Sequence, residues 1–168
     1  MIKCLMMAAV VLRQGEVRER IANAVSFAHV PSLRRTGAKR RYGMFSHVMV
    51  GTNDLERSKK FYDAVLGALG VKPGFVDDKG RVFWRTKTGT FGVTKPINGE
   101  AATFANGGTI GFAVETTEQA DAWHAAGVAN GGTAIENPPG IRKGAMELYL
   151  AYLRDPDGNK ICAMKRMG

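Results

Sequence analysis

The chain has 168 residues, enough for one domain or for two small repeated modules that share a core. Its hydrophobic fraction of 45% and charged fraction of 23% are those of a globular protein and exclude a wholly disordered or fibrous chain. The formal net charge of +9 suggests a nucleic acid or an anionic surface as partner, so the position of that charge matters first.

Most of the excess charge lies in the N-terminal segment. Residues 1–43 contain nine Lys or Arg and two Asp or Glu, whereas residues 44–168 contain fifteen and thirteen. The run from Arg34 to Arg41 is a short basic stretch of the kind that stays solvated. The rest of the chain is nearly neutral and shows no nucleic-acid motif with base-stacking aromatics. We therefore expect no nucleic-acid partner.

Residues 1–43 have three interpretations. The apolar stretch from Cys4 to Leu12 resembles half of a secretory signal, but charged residues follow and no clear cleavage site is visible. The Arg-rich, acid-poor segment also fits a transit peptide. We favour an extension outside the working protein, because Met44 opens the first strand pattern with nothing missing before it. The apolar stretch is too short to span a membrane, so we expect no membrane partner.

The two cysteines, Cys4 and Cys162, lie far apart, and neither belongs to a disulfide framework or a Cys-type zinc motif. A reducing, cytoplasmic location is the default expectation for such a chain.

From Met44 onward the pattern predicts a strand and then a helix capped by Asn53 with Glu56 as its capping-box partner. Apolar residues at helical spacing continue to Leu69, and Gly70 ends the helix. Three short strand patterns follow, at 74–77, 81–86 and 90–95.

The same order then begins again. A strand at 109–114 leads to a helix capped by Thr116, and three strand patterns follow at 133–136, 146–154 and 160–164. On the two helices, Ala120 repeats the position of Ser58 at an offset of 62 residues. Such an internal repeat predicts an α+β fold of two βαβββ modules, about 44–98 and 107–167. Their paired, curved mixed sheets are expected to surround a central cleft, with the helices outside.

Two motifs carry a resemblance to a known family. The first helix starts with the pattern D-L-x-x-S-x-x-F-Y, formed by Asp54-Leu55-Glu56-Arg57-Ser58-Lys59-Lys60-Phe61-Tyr62. The turn before the last strand has the sequence D-P-D-G-N, formed by Asp155-Pro156-Asp157-Gly158-Asn159. The stretch from Met44 to Met167 resembles the vicinal oxygen chelate superfamily, which includes glyoxalase I, bleomycin resistance proteins and extradiol dioxygenases. The resemblance implies the fold; it does not fix the activity, because that superfamily hosts many chemistries.

The resemblance also implies where metal ligands would lie. Glyoxalase I-like members hold a metal through four side chains, which correspond here to His47, Gly92, Thr109 and Cys162. Of these four positions, only His47 keeps the His or Glu type of metal ligand. We therefore expect no complete metal site and no cofactor, although a divalent metal remains an open alternative.

Six residues are candidates for the site. His47 is the candidate catalytic residue, and we expect the substrate to contact His47, Trp84, Thr94, Thr109, Tyr152 and Cys162. The alternatives are structural: a histidine satisfied in the core, an aromatic that packs in the core, and a buried inert thiol. One of Phe83 and Trp84 must face the cleft and the other the helix, because strand side chains alternate.

These observations leave two main functions. The first is binding of a small polar metabolite in the inter-module cleft by a lyase or isomerase related to lactoylglutathione lyase, without the usual four-ligand metal. The second is a non-catalytic small-molecule binder or drug-sequestering protein of the bleomycin-resistance type. The resemblance further implies a homodimer, since many relatives are dimers.

Overall fold

The structure, a computed structural model, describes residues 44–168. The predicted N-terminal extension, residues 1–43, lies outside these described residues, and the domain boundary at residue 44 stays a prediction. Neither helix within the described part combines the length and the apolar character that a membrane span requires.

The first module has the predicted βαβββ order, and the second has the same order with one additional strand. The first contains β1 (His47–Gly51), α1 (Leu55–Gly67), β2 (Phe75–Val76), β3 (Val82–Arg85) and β4 (Thr90–Thr94). The second contains β5 (Ile110–Ala113), α2 (Thr117–Ala129), β6 (Thr133–Ala134), β7 (Gly140–Arg142), β8 (Leu148–Arg154) and β9 (Lys160–Arg166). The short strand β7 was not predicted. It lies in a Pro- and Gly-rich segment without alternation and forms only by pairing with β8.

Each module forms its own sheet. Sheet A has the strand order β1-β4-β3-β2, and sheet B has the order β5-β9-β8-β6, with β7 also paired to β8. In both sheets the first strand runs parallel to the last, so that Val48 pairs with Phe91 and Ile110 pairs with Ile161. The sequence repeat is therefore also a repeat of strand register.

The two helices pack against each other. The fold has the two sheets and two helices that were predicted, and α1 contacts α2 directly. Their buried side chains and one face of each sheet form a single apolar core. Gly127 on α2 permits this approach, because a Cβ there would lie 3.2 Å from Cγ1 of Val65 on α1. The apolar faces of both helices are thus buried together, which is what the hydrophobic effect favours for two such faces.

Because side chains alternate along a strand, each sheet also has an outer face that points away from the core. On sheet A, Trp84 and Phe91 belong to the core face. His47 and Gly92 belong to the outer face, because their partners across the ladder alternate with the core positions. The outer face of sheet B carries Cys162 by the same alternation.

The start of α1 is shifted by one residue from the prediction. The N-cap is Asp54, whose Oδ1 accepts a hydrogen bond from the backbone N–H of Arg57 at 3.0 Å. Asn53 instead holds the linker between the modules, because its Oδ1 accepts from the N–H of Ala102 at 2.8 Å. The predicted cap of α2 is confirmed, since Thr116 accepts from the N–H of Gln119.

The two family motifs bind each other across the module boundary. Asp157 of the D-P-D-G-N turn accepts hydrogen bonds from the hydroxyls of Thr52 and Ser58, at 2.6 and 2.9 Å. It also accepts from the backbone N–H of Asn53 at 3.0 Å and pairs with Arg57 at 2.9 Å. Only 2% of the Asp157 side chain is exposed, so these partners replace the water that an ionised carboxylate would otherwise need.

Asp155 in the same turn makes a second, fully buried connection. Its Oδ2 accepts the hydroxyl proton of Tyr62 on α1 at 2.7 Å, and its Oδ1 accepts from the backbone N–H of Asn159. Burial and the nearby carboxylate of Asp155 together raise the pKa of Tyr62 well above its ordinary value, which keeps the phenol a donor. We call the contacts of Asp155 and Asp157 with the first module the inter-module anchor.

We predict that Asp157→Asn destabilises the protein by roughly 2–3 kcal/mol at neutral pH, because an amide cannot satisfy this set of donors. Burial alone would raise the pKa of Asp157, but the bonds from Thr52, Asn53 and Ser58 and the charge of Arg57 lower it. The stability that the carboxylate supplies is thus complete above its unfolded-state pKa of about 3.9 and is lost as pH falls through the lower native value. Urea denaturation between pH 7 and pH 2.5 measures this.

Asp78→Asn, in an exposed turn, is the matched control and should cost little at any pH. Equal stabilities of the two variants at pH 7, or a difference between them that does not shrink in acid, would contradict the role of Asp157.

Candidate functional site

A groove of about 1080 Å³ opens where the two modules meet. Both modules line it, the first through β1, the end of α1 and the turn 86–89, and the second through β5. Its volume is that of a site for a drug-sized molecule. The groove is the described feature that best matches the predicted inter-module cleft.

The groove has an apolar floor and a polar rim. The floor includes Phe91 of sheet A and Phe112 of sheet B, whose ring centroids lie 5.4 Å apart in an edge-to-face arrangement. This contact joins the two sheets directly beneath the groove. The polar part of the lining includes Thr90 and the charged residues Lys72, Arg85, Lys87 and Glu115, together with His47.

His47, the candidate catalytic residue, lies at the first position of β1 and lines the groove. Its ring is exposed rather than satisfied in the core, and its Nδ1 is 2.9 Å from the hydroxyl oxygen of Ser46. The Ser46 contact leaves Nε2 available to a ligand. The imidazole could therefore exchange a hydrogen bond or a proton with a bound molecule.

Trp84 lies on the face of sheet A opposite to His47. Its side chain is 1% exposed, and its indole N–H donates to Oδ1 of Asp63 on α1 at 2.9 Å. The ring also borders the groove from the core side. Of the Phe83 and Trp84 pair, it is Phe83 that faces outward. Any contact of Trp84 with a ligand would thus come from the floor of the groove.

Three candidates cluster on or beside sheet B. Cys162 pairs with Tyr152 across the β8–β9 ladder and with Gly111 across the β5–β9 ladder. A Cβ on Gly111, which lines the groove, would lie 3.4 Å from Sγ of Cys162. Thr109 directly precedes β5 and is exposed. Cys162 and Thr109 thus lie next to groove residues, whereas Tyr152 lies one strand further away.

Thr94 is the candidate furthest from this arrangement. It ends β4 opposite Gly51, whereas the groove is at the other end of that strand, near Thr90. Its hydroxyl donates to the carbonyl oxygen of Lys95 at 3.0 Å. The structure does not bring Thr94 together with His47.

Burial raises the pKa of the Cys162 thiol and outweighs the lowering effect of Lys160. The side chain is almost inaccessible, with 6% of the residue exposed. A thiol in such a place stays protonated at neutral pH and is a poor nucleophile. Desolvation likewise raises the pKa of Tyr152, which remains a phenol over which the Lys160 ammonium lies at 4.7 Å.

The positions that correspond to metal ligands do not fit a divalent ion. His47 offers one nitrogen, Gly92 offers no side chain, and the protonated thiol of Cys162 is a weak ligand. A Cβ at Gly92 would lie 2.9 Å from the ring of Phe83 and would overlap the thioether of Met49, so these side chains already occupy the space. Within residues 44–168, no group of three or more His, Cys, Asp or Glu side chains could hold a metal.

Several groove residues were not predicted from the sequence, among them Lys72, Lys87, Phe112 and Glu115. The internal repeat contained a signal for them. The turn 86–89 takes the place in the first module that the Asp155–Asn159 turn takes in the second, and it lacks both aspartates. Because the aspartates of the inter-module anchor are absent from this turn, the repeat indicates that the modules lack a polar contact here.

Comparisons with known proteins agree with this fold. Residues 44–163 match the model of the Glyoxalase/Bleomycin resistance protein/Dioxygenase superfamily. A glyoxalase/bleomycin resistance protein from Albidiferax ferrireducens T118 is 66% identical, with a TM-score of 0.71, and the match covers 73% of this chain and 98% of that chain. No curated protein matches the chain.

More distant solved structures share the fold alone. A glyoxalase/bleomycin resistance protein/dioxygenase family enzyme from Burkholderia phytofirmans PsJN is 20% identical, with a TM-score of 0.56, and the match covers 73% of this chain and 98% of that chain. A glyoxalase-related enzyme from Fulvimarina pelagi is also 20% identical with a TM-score of 0.56, and the match covers 71% and 86%. Both similarities support the two-module architecture.

We predict that Cys162 reacts slowly with a thiol reagent in the native protein, because the thiol is buried and its pKa is raised. Cys4→Ser removes the other cysteine, so that labelling by DTNB at pH 7.5 reports on Cys162 alone. The expected rate is at least about a hundredfold below that of the same protein in denaturant. Labelling as fast as in the unfolded chain would show an accessible, reactive thiol.

Proposed function

The chain belongs to the Glyoxalase/Bleomycin resistance protein/Dioxygenase superfamily, and on this basis we propose that it binds a small polar metabolite in the groove between its modules. The observation that carries the proposal is the groove itself, which both modules line and which has an apolar floor beneath a polar rim. Sites of this composition hold small molecules by burying their apolar surface and orienting their polar groups. Binding here requires no four-ligand metal.

The geometry favours a binder that does not convert its ligand. Catalysis of the glyoxalase type needs an electrophile that stabilises an enediolate and a carboxylate that moves the proton. The positions where the family resemblance expects carboxylates hold Gly92 and Cys162. Glu115 is the one carboxylate among the groove-lining residues described here. Sequestration of a small molecule is therefore the function that the described residues support best.

A lyase or isomerase related to lactoylglutathione lyase is the second candidate, and the exposed ring of His47 at the groove supports it. Proton transfer by a single imidazole would be its chemistry. In that case His47→Gln would abolish conversion of a ligand while leaving its binding within a few fold. A ligand recovered unchanged after prolonged incubation with the wild-type protein favours sequestration instead.

The proposal predicts that filling the groove abolishes binding. Gly111 lines the groove, lies in a strand and would accept a Cβ in ordinary contact, so Gly111→Leu should fold normally and obstruct the site. A panel of small polar metabolites is screened by thermal shift. A ligand present at about a hundred times its Kd should add about 2.7 kcal/mol to the stability of the wild-type protein. The same ligand should add little to that of Gly111→Leu.

Gly144→Leu is the matched control, because Gly144 lies in a loop that does not line the groove and has room for a side chain. It should retain full ligand-induced stabilisation. A metabolite that stabilises Gly111→Leu as strongly as the wild type binds elsewhere and refutes the assignment of this groove.

The proposal includes a cytoplasmic homodimer. Two features of the described chain favour self-association: β1 and β5 each pair along one edge only, and the outer face of sheet A keeps Phe75 42% exposed. The ring of Phe75 packs 5.7 Å from that of Phe83 and carries the guanidinium of Arg85 at 4.6 Å. Aromatic and arginine side chains are enriched at protein interfaces.

We predict that sedimentation velocity of the full chain gives a dimer and that Phe75→Glu shifts the population towards monomer. Ile97→Glu, in a fully exposed loop, is the control and should leave the dimer intact. A wild-type chain that stays monomeric at micromolar concentration would exclude the homodimer and leave groove binding within one chain unaffected.

A further inference from the structure

We propose that, among small polar molecules, the groove selects those in which an anionic group is attached to an apolar ring system. This inference rests on the proposed function, because it names the class of molecule that the groove would bind. Three features support it: the charges at the groove, the exposed apolar residues next to them, and the charge of the repeated turn, which Lys87 of the groove supplies.

The groove is lined by three positively charged side chains that have no carboxylate partner within the described residues. Lys72, Arg85 and Lys87 line it, against one acidic residue, Glu115. Unpaired cations also occur elsewhere in residues 44–168, where only Arg57, Lys59, Arg81 and Lys160 are paired with carboxylates, but at the groove three cations share one lining with a single acidic residue. Arg85 is held over the ring of Phe75, which orients its guanidinium without neutralising it. The groove therefore has positive charge that a ligand could neutralise.

Exposed apolar residues lie beside these cations. Met44 and Phe45 line the groove and are 90% and 64% exposed. Phe91 and Phe112 form the floor below them. A ligand with a flat apolar body would cover this surface and gain the free energy of removing it from water. The groove thus combines an apolar surface with cations, as a carboxylate or sulfonate on a ring system requires.

The repeat explains why the anion must come from outside the described chain. In the second module the turn before the last strand presents Asp157, and the hydroxyls of Thr52 and Ser58 receive it. In the first module the equivalent turn presents Lys87, and the positions that repeat Thr52 and Ser58 are Val114 and Ala120. The turn of the second module therefore carries a carboxylate where that of the first carries an ammonium group. No side chain of the turn 86–89 supplies a negative charge to neutralise Lys87.

The test uses two fluorescent probes with one ring skeleton and the full-length chain. 1-Anilinonaphthalene-8-sulfonate carries a sulfonate, and N-phenyl-1-naphthylamine is its neutral counterpart. We expect the anionic probe to bind at least about tenfold more tightly at low salt, and the advantage to shrink as salt screens the charges. Gly111→Leu should abolish binding of the anionic probe, which places it in the groove.

Two double variants separate the groove cations from general basicity. Lys72→Gln/Lys87→Gln should lower the affinity for the anionic probe about three- to tenfold and leave the affinity for the neutral probe unchanged. Lys60→Gln/Lys79→Gln removes two exposed lysines outside the groove and should change neither. If both probes bind with equal affinity, or if the two double variants have equal effects, the groove does not select anions. The proposal that the groove binds small molecules would be unaffected by that result. If Gly111→Leu weakens the binding of neither probe, the probes do not bind in the groove. Both the anion selection and the proposed groove site are then refuted.

Discussion

The structure depends on one buried carboxylate. Asp157 is taken out of water at the junction of the two modules, and it remains ionised because two hydroxyls, a backbone N–H and a guanidinium surround it. The desolvation of such a group is costly unless every lone pair is used, so its donors must sit within tenths of an ångström of their positions. That demand fixes the start of α1 relative to the last turn of sheet B. The shared apolar core and this polar junction together hold the two modules in place.

The same junction determines where the molecule is open. The internal repeat would allow two equivalent contacts, one for each turn, yet only the Asp155–Asn159 turn carries the aspartates. At the other turn the modules meet through the rings of Phe91 and Phe112, and the groove lies above that contact. Apolar contacts are less directional than hydrogen bonds to a buried charge. The groove thus lies at the one of the two repeated contacts whose turn lacks the aspartates.

The fold could be predicted from the sequence to the level of two βαβββ modules, because turn residues and helical spacing are local signals. The residue that caps α1 was misplaced by one position, since Asn53 and Asp54 are equally good caps and only the contact of Asn53 with Ala102 decides between them. β7 was missed because its pairing with β8 supplies its structure. The face on which Trp84 lies depends on its packing against Tyr62 and Asp63 of α1. The contacts between the modules join residues about a hundred positions apart, such as Thr52 and Asp157, and periodicity cannot report either kind of contact.

Gly92 limits what one substitution can add to the outer face of sheet A. Met49 and Phe83 fill the space that a side chain at position 92 would need. A carboxylate introduced there would overlap both neighbours, so a change at this one position does not place a second metal-ligating group on the face that carries His47. Smaller side chains at positions 49 and 83 would be needed at the same time.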